Sequence, residues 1–307
     1  MKAARIHKFG SPEVVVIDEL SQPTPRAGEL LVRVAAAGVG PWDSIIREGK
    51  SEVSPQPPLI LGSDLSGVVE AVGAGVSEFK IGDGVYGVTN PQFCGAWAEY
   101  ALAEAQMMAR KPERLTYVEA ASVPVVAVTA WQMLFEYAHV TAGQSVLILG
   151  AAGNVGAYAV QLAHGAGLHV IATAGATDLE YVRSLGADRA LDYRAGEIDE
   201  VAPPVNVVLD LVGGETQERS FRLLKAAGIL VSVVSTPPAS LRTDVRSVFF
   251  YVDVTTARLN MISELLESGK LTTQVGTVLP LKDARLAYEM LAGAPHKRGK
   301  IVLTIAV

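Results

Sequence analysis

The sequence predicts an α/β fold, with a β-rich region leading into a doubly wound parallel sheet. Three observations predict it. Residues 1–110 hold short apolar runs punctuated by glycine and proline, the pattern of a small barrel or sandwich. From residue 125 to about 263, short Val/Ile/Leu runs alternate with segments of helical spacing, which is how parallel sheets with crossover helices read. Residues 144–167 (QSVLILGAAGNVGAYAVQLAHGAG) combine a buried-strand run, a Gly/Ala turn and a helix in one stretch, the parts of a dinucleotide-binding unit.

Taken in order, residues 1–7 and 14–20 read as a hairpin turning through Gly10-Ser11-Pro12. Residues 29–36 (ELLVRVAA) form a strand with partial alternation, broken at 38–41, and residues 42–47 form a helical turn ending near Gly49. A proline-rich loop at 54–58 precedes a strand at 66–72, a turn and strand at 82–87, and an extended stretch at 95–103. The second half opens near 122–127. Its predicted elements are a strand at 145–149, a helix from 155, a strand at 169–172 and a helix at 178–185. Strands at 189–192 and 205–211, a helix at 216–226, a strand at 229–235 and a helix at 259–266 follow. The tail, 270–307, ends in an apolar run at 300–305 that suits a strand returning to the first region. The expected division is therefore 1–123, 124–263 and 264–307, the middle segment being an insertion.

At 307 residues the chain is long enough for about two domains, each with its own core. Half the residues are hydrophobic and 19% are charged, an ordinary globular balance that argues against disorder. A net charge of −6 gives no electrostatic reason to expect nucleic acid or an anionic membrane. The longest apolar stretch, 120–135, contains Pro124, Thr129 and Gln132 and reads as a buried helix rather than a membrane span. No charged n-region and apolar h-region open the sequence, so no signal peptide is expected. One cysteine, Cys94, excludes an internal disulfide and fits a reducing cytosol.

The glycine fingerprint is a variant, Ala151-x-Gly153-x-x-Gly156, preceded by Gly150. Ala151 and Ala152 make the turn and Gly153 faces a pyrophosphate. Asn154 and Val155 open the helix, whose free N–H groups receive that anion, and Gly156 lets helix and strand pack closely. The end of the next strand selects the cofactor. An NAD site places a carboxylate there, about 20 residues after the glycines, to bond the ribose 2′-hydroxyl. This sequence has Thr173-Ala174-Gly175-Ala176, with no acid before Asp178. That absence favours NADPH, whose phosphate an acid would repel. No Lys or Arg follows at once; Arg183 is the nearest and suits a solvated helix face equally well. Val212-Gly213 and Val234-Ser235 fall at the carboxyl ends of strands, the ligand edge of open α/β sheets.

Motif order then resembles the zinc-free quinone oxidoreductase branch of the medium-chain dehydrogenase/reductase superfamily. The resemblance is carried by residues 25–39 (PRAGELLVRVAAAGV), 61–73 (LGSDLSGVVEAVG), 82–87, 96–101 (AWAEYA) and 120–124 with Thr129-Ala130-Trp131. It continues through the fingerprint, 184–193 (SLGADRALDY), 210–214 (DLVGG) and 299–303 (GKIVL). It implies a GroES-like catalytic domain, a Rossmann domain, an active site in the cleft between them, and a homodimer joined through the sheet edge near 245–253, unless a helix or loop covers that edge and leaves a monomer. It also implies that Thr129 bonds the nicotinamide side of the cofactor, that Tyr193 lies beside the adenosine phosphate, and that Lys300 reaches the cofactor from the tail. Thr129 could equally be satisfied by its own helix, Tyr193 could simply pack on the sheet, and Lys300 could be a surface lysine.

Departures from the family pattern sharpen the expectation. Where zinc-dependent relatives carry a cysteine ligand and a proton-relay hydroxyl, this sequence has Gly40 and Trp42; their Gly-His-Glu motif is Gly62-Ser63-Asp64. Five histidines form no metal-like pair, so no zinc is expected. Gly40, Trp42, Ile45 and Asp64 are the residues this places at the acceptor end. Asp64 and Asp43 read as acids that hold loops rather than as general acids, and no proton donor is identified. The implied activity is hydride transfer from NADPH to a quinone or an enone-type C=C in the cytoplasm. The alternative is a catalytically weak dinucleotide-binding protein with a structural or regulatory role.

Overall fold

The computed structural model describes residues 1–237 and 242–305, and the final two residues of the predicted tail lie outside it. It is an α/β structure that divides into two compact units, Met1–Val125 with Val254–Val307, and Val126–Asp253.

In the first unit, seven strands form one sheet. Strand Glu29–Val39 is its centre, pairing antiparallel with Asp64–Val72, with Tyr100–Glu104 and with Lys300–Thr304 from the tail. A smaller sheet joins Val16–Glu19, Lys2–Ile6 and Leu59–Ile60. Leu30, Val32, Val34, Leu65, Trp97, Ile301 and Leu303 fill the core. Glu29–Val39 alternates only in its first half because both of its faces are covered beyond Ala36. This is the GroES-like unit. Helix Thr256–Glu267, capped by the Thr255 hydroxyl accepting from the Arg258 N–H at 3.4 Å, packs within it. The Tyr86 hydroxyl donates to the Leu259 carbonyl at 2.9 Å, and Thr256 donates to the Met108 carbonyl at 2.7 Å. The sequence expectation carried the middle segment to 263; these buried side-chain bonds to main-chain carbonyls tie the helix to the first unit instead.

The second unit is a six-stranded parallel sheet, numbered here from its first strand: β1 (Ser145–Leu149), β2 (His169–Ala174), β3 (Arg189–Asp192), β4 (Val205–Asp210), β5 (Leu224–Ser232) and β6 (Arg246–Phe249). Its spatial order is β3-β2-β1-β4-β5-β6, the dinucleotide-binding arrangement of two mirrored halves. The order reverses between β1 and β4, opening a crevice at their carboxyl ends. Leu147, Leu149, Ile171, Val208, Phe221 and Leu230 pack one core cluster of this sheet. The helix expected at 216–226 is shorter, Gly214–Ser220, followed by a 3-10 turn at Phe221–Leu223. Leu224 already pairs with Val205, through a bulge that lets the apolar run 229–232 fall into register with β4. The apolar stretch at 120–135 contains helix Pro124–Trp131 and a π-helical turn, Gln132–Tyr137. Among the described residues no helix is long and apolar enough to cross a membrane.

Candidate functional site

In the second unit the Gly/Ala turn leaves β1 at Gly150 and enters helix Asn154–Gly165 with Gly153 as N-cap. No side chain caps that helix, so the N–H groups of its first turn point outward for an acceptor. Gly156 faces back onto the turn: a Cβ there would lie 2.4 Å from the Gly150 carbonyl oxygen and 2.6 Å from the Ala151 Cα. Only glycine permits this approach of helix to turn. Thr173, near the end of β2, is buried and braces the turn. Its hydroxyl accepts from the Gly150 N–H at 3.1 Å, and its carbonyl accepts from the Ala151 N–H at 2.9 Å. These side-chain and main-chain bonds fix the turn beneath an uncapped helix N-terminus whose N–H groups suit an anionic group, so the residues present fit a dinucleotide.

Beyond the switch point, a buried polar cluster fixes the ends of β4 and β5. One carboxylate oxygen of Asp210 accepts from the N–H groups of Val212 and Gly213, at 3.1 and 2.8 Å. The other accepts from the Gln217 amide and the Ser232 hydroxyl, each at 2.7 Å. Gln217 and Ser232 were not singled out in the sequence, where a Gln at the second position of a predicted helix carries no signal of its own. The cluster leaves Val212 and Val234 as 50% and 48% exposed aliphatics on the edge, with Ser235 beside them. At the opposite corner, Ala174 and Gly175 end β2, and the exposed Tyr193 follows β3 with its N–H donating to the Ala174 carbonyl at 3.2 Å. Thr129 is buried in helix Pro124–Trp131. Phe250 stacks on Tyr137 with ring centroids 4.2 Å apart.

The first unit concentrates charge in its interior. Lys300 and Asp64 are 1% and 0% exposed, with the ammonium 3.0 Å from the carboxylate. The Lys300 Nζ also lies 4.2 Å from the Trp42 ring centroid, a cation–π contact strengthened by the lack of water. Lys300 is thus sealed between Asp64 and Trp42. The second Asp64 oxygen accepts from the Val125 N–H at 3.2 Å. Trp42 is fixed by its indole N–H donating to the Ser63 hydroxyl at 3.0 Å. Its ring fills the space where Gly40 would carry a side chain, a Cβ there falling 2.2 Å from a ring carbon. Ile45 is exposed on the short helix Pro41–Arg47.

Asp43, on the same helix, is 1% exposed and accepts from the Gly40 N–H at 2.7 Å. Burial pushes its carboxyl from 3.8 up to about 8, against the opposing pull of the Gly40 N–H and Lys300, while the charge of Asp64 adds to the rise. A carboxyl whose folded value is raised stabilises the fold below the unfolded value and loses that contribution as pH climbs through the folded one. Wild-type melting temperature should therefore fall between pH 5 and pH 8, and Asp43→Asn should narrow that gap by at least about 3 °C. Identical pH profiles for the two proteins would show that Asp43 is ionised in the fold.

Residues 26–113 match the family model described as alcohol dehydrogenase GroES-like domain, and residues 185–303 match the one described as zinc-binding dehydrogenase. The chain is 32% identical to quinone oxidoreductase of Sus scrofa, over 99% of this chain and 98% of that protein. The chain belongs to the quinone oxidoreductase branch of the medium-chain dehydrogenase/reductase superfamily. It is also similar to the chloroplastic NADPH-dependent alkenal/one oxidoreductase of Arabidopsis thaliana, at 32% identity over 99% of this chain and 79% of the other. The solved structure of the quinone oxidoreductase from Coxiella burnetii superposes with a TM-score of 0.92, at 32% identity, covering 100% of this chain and 99% of that one.

One of the matched descriptions names zinc, and the residues of this quinone oxidoreductase-branch chain do not fit it. Gly40 offers no donor and its side-chain space is occupied by Trp42, while Asp64 is engaged by an ammonium. Among the described residues no group of three or more His, Cys, Asp or Glu side chains could hold a metal ion. A catalytic zinc needs three such ligands.

Proposed function

We propose that this chain is a zinc-independent, NADPH-dependent reductase that delivers hydride to a quinone or to the β-carbon of an enone-type acceptor. The observation that carries the reading is the uncapped helix behind a turn that only glycine at 156 allows, next to a β2 end with no carboxylate. The similarity to an Arabidopsis protein named for NADPH and alkenals or enones supports the same choice.

Bound NADPH would supply the hydride. The residues of the chain bind and orient. Ala151, Ala152 and Gly153 give the pyrophosphate a close backbone approach, and the N–H groups of Asn154 and Val155 neutralise it. Thr173, Ala174, Gly175 and Tyr193 border the adenosine ribose. Val212, Gly213, Val234 and Ser235 line the nicotinamide end, the two valines excluding water from the transferring face. Thr129 completes the cofactor contacts in this reading, whereas Lys300, buried against Asp64 and Trp42, is withdrawn from them. Gly40, Trp42, Ile45 and Asp64 form the acceptor end, where an aromatic ring and an aliphatic chain suit a flat, apolar acceptor. The proton that completes the reduction comes from solvent.

The test is oxidation of NADPH and NADH followed in parallel, with chelator present, against quinones, cyclic and linear enones and aldehydes. Turnover with NADPH on quinones or enones is expected. NADPH binding without turnover on any acceptor would favour a structural or regulatory dinucleotide-binding protein, and activity lost to chelator would sink the zinc-independent mechanism. The same reading includes a homodimer through β6. This strand ends the sheet among the described residues, and Tyr251 beyond it is 74% exposed and packs edge-on against Phe249, an edge that invites pairing. A solution mass of one chain by light scattering would remove the dimer from the reading.

A further inference from the structure

We propose that Arg194 is the residue that reads the 2′-phosphate of NADPH, taking the place of the cation that the sequence lacks after β2; the inference rests on the NADPH reading above. The parallel pairing of β2 with β3 sets Ala174 opposite Asp192. The chain therefore leaves β3 beside the turn that leaves β2. Tyr193 bonds back to the Ala174 carbonyl, and its ring edge lies 3.8 Å from where Gly175 would carry a Cβ. The Arg194 guanidinium sits over that ring, 5.1 Å from its centroid. A planar cation is thus stacked one ring away from Gly175, at the corner where an NAD site would keep its carboxylate.

Neighbouring charges leave Arg194 available. Its N–H donates to an Asp192 carboxylate oxygen at 3.0 Å, which fixes the turn through the backbone and leaves the guanidinium to the ring. Among the described residues the guanidinium has no carboxylate partner. Arg183, the nearest cation by sequence, is 3.4 Å from Glu180 on its own helix. Arg189 begins β3 and so stands at the opposite edge of the sheet. Of the acids near this corner, Asp178 ends the 3-10 turn Ala176–Asp178 that follows Gly175, and the Asp192 carboxylate is engaged by the Arg194 N–H. A guanidinium held flat by an aromatic ring presents its remaining N–H groups in a fork that matches phosphate oxygens.

The experiment measures dissociation constants of NADPH and NADH, and of 2′,5′-ADP and 5′-AMP, for wild type, Arg194→Gln and Arg194→Lys, with thermal melts alongside. Arg194 is exposed, so both variants are expected to melt like wild type. Arg194→Gln should weaken NADPH and 2′,5′-ADP by about ten- to a hundredfold and leave NADH and 5′-AMP within about twofold. Arg194→Lys, a charge without the fork, should fall between. Wild-type preference for NADPH that survives in Arg194→Gln would overturn the inference and leave the NADPH reading standing. Wild type that binds NADPH and NADH equally would overturn both.

Discussion

Gly156→Ala is expected to destabilise the second unit by about 1–3 kcal/mol and to weaken binding of the dinucleotide by about tenfold or more. The new methyl would stand 2.4 Å from the Gly150 carbonyl oxygen, 2.6 Å from the Ala151 Cα and 2.8 Å from the Ala151 carbonyl carbon. All three are backbone atoms of the turn proposed above to receive the pyrophosphate, so no rotamer change relieves the contact. The helix must move off the turn, and its N–H groups move with it. Gly153→Ala makes an informative companion, because its methyl would meet only the Gly150 carbonyl oxygen, at 3.3 Å. It should melt near wild type while still crowding the ligand. Melting curves and fluorescence titration with NADPH separate the two effects. A Gly156→Ala protein with wild-type melting and affinity would mean that the helix is not pressed against the turn.

Lys300→Met removes the cation that, among the described residues, pairs with the buried Asp64 carboxylate in the first unit. Taking away one partner of a fully buried pair typically costs about 3–5 kcal/mol, because the other charge stays without water or counter-ion. Burial already raises the Asp64 carboxyl, opposed by Lys300 and by the Val125 N–H. Without Lys300 it rises further, and the sign of the pH dependence follows. A raised carboxyl supports the fold at low pH and withdraws that support as pH climbs. The deficit of Lys300→Met should therefore be small near pH 4 and grow towards pH 8. Adding Asp64→Asn to the same chain should recover a large part of it, a coupling that a double-mutant cycle measures directly. Equal deficits with and without Asp64→Asn, at every pH, would mean that the loss comes from packing against Trp42 rather than from the unpaired charge.

Local pattern carried much of the fold. The Val/Ile/Leu runs at 145–149 and 205–211 and the glycine-rich turn between strand and helix identify their elements by composition alone, because buried parallel strands and βα turns have few other solutions. Long-range pairing is a different matter. Lys300 reads in sequence as a tail residue that either reaches a cofactor or lies on the surface; its strand pairs with Glu29–Val39, and that pairing carries the side chain inward to Asp64. Arg194 had no reason to be noticed until β3 lay parallel to β2 and brought residue 194 to the end of a strand twenty residues earlier in the chain. Helix Thr256–Glu267 has the right spacing for a helix but nothing in it says which core it serves; the Tyr86 hydroxyl decides that. What the sequence conveys poorly is which charges end up facing one another.

The Asp210 cluster divides the ligand edge of the sheet into two kinds of surface. On the β1 side the backbone still has hydrogens to give, so that half welcomes negative charge. On the β4 and β5 side the N–H groups of Val212 and Gly213 are already spent on Asp210, and what faces outward is branched hydrocarbon. An elongated guest with an ionic middle and a flat, neutral head has only one way to lie along such an edge. In the reading proposed above, the sheet edge would thus act as a compass, setting the head-to-tail direction of the dinucleotide.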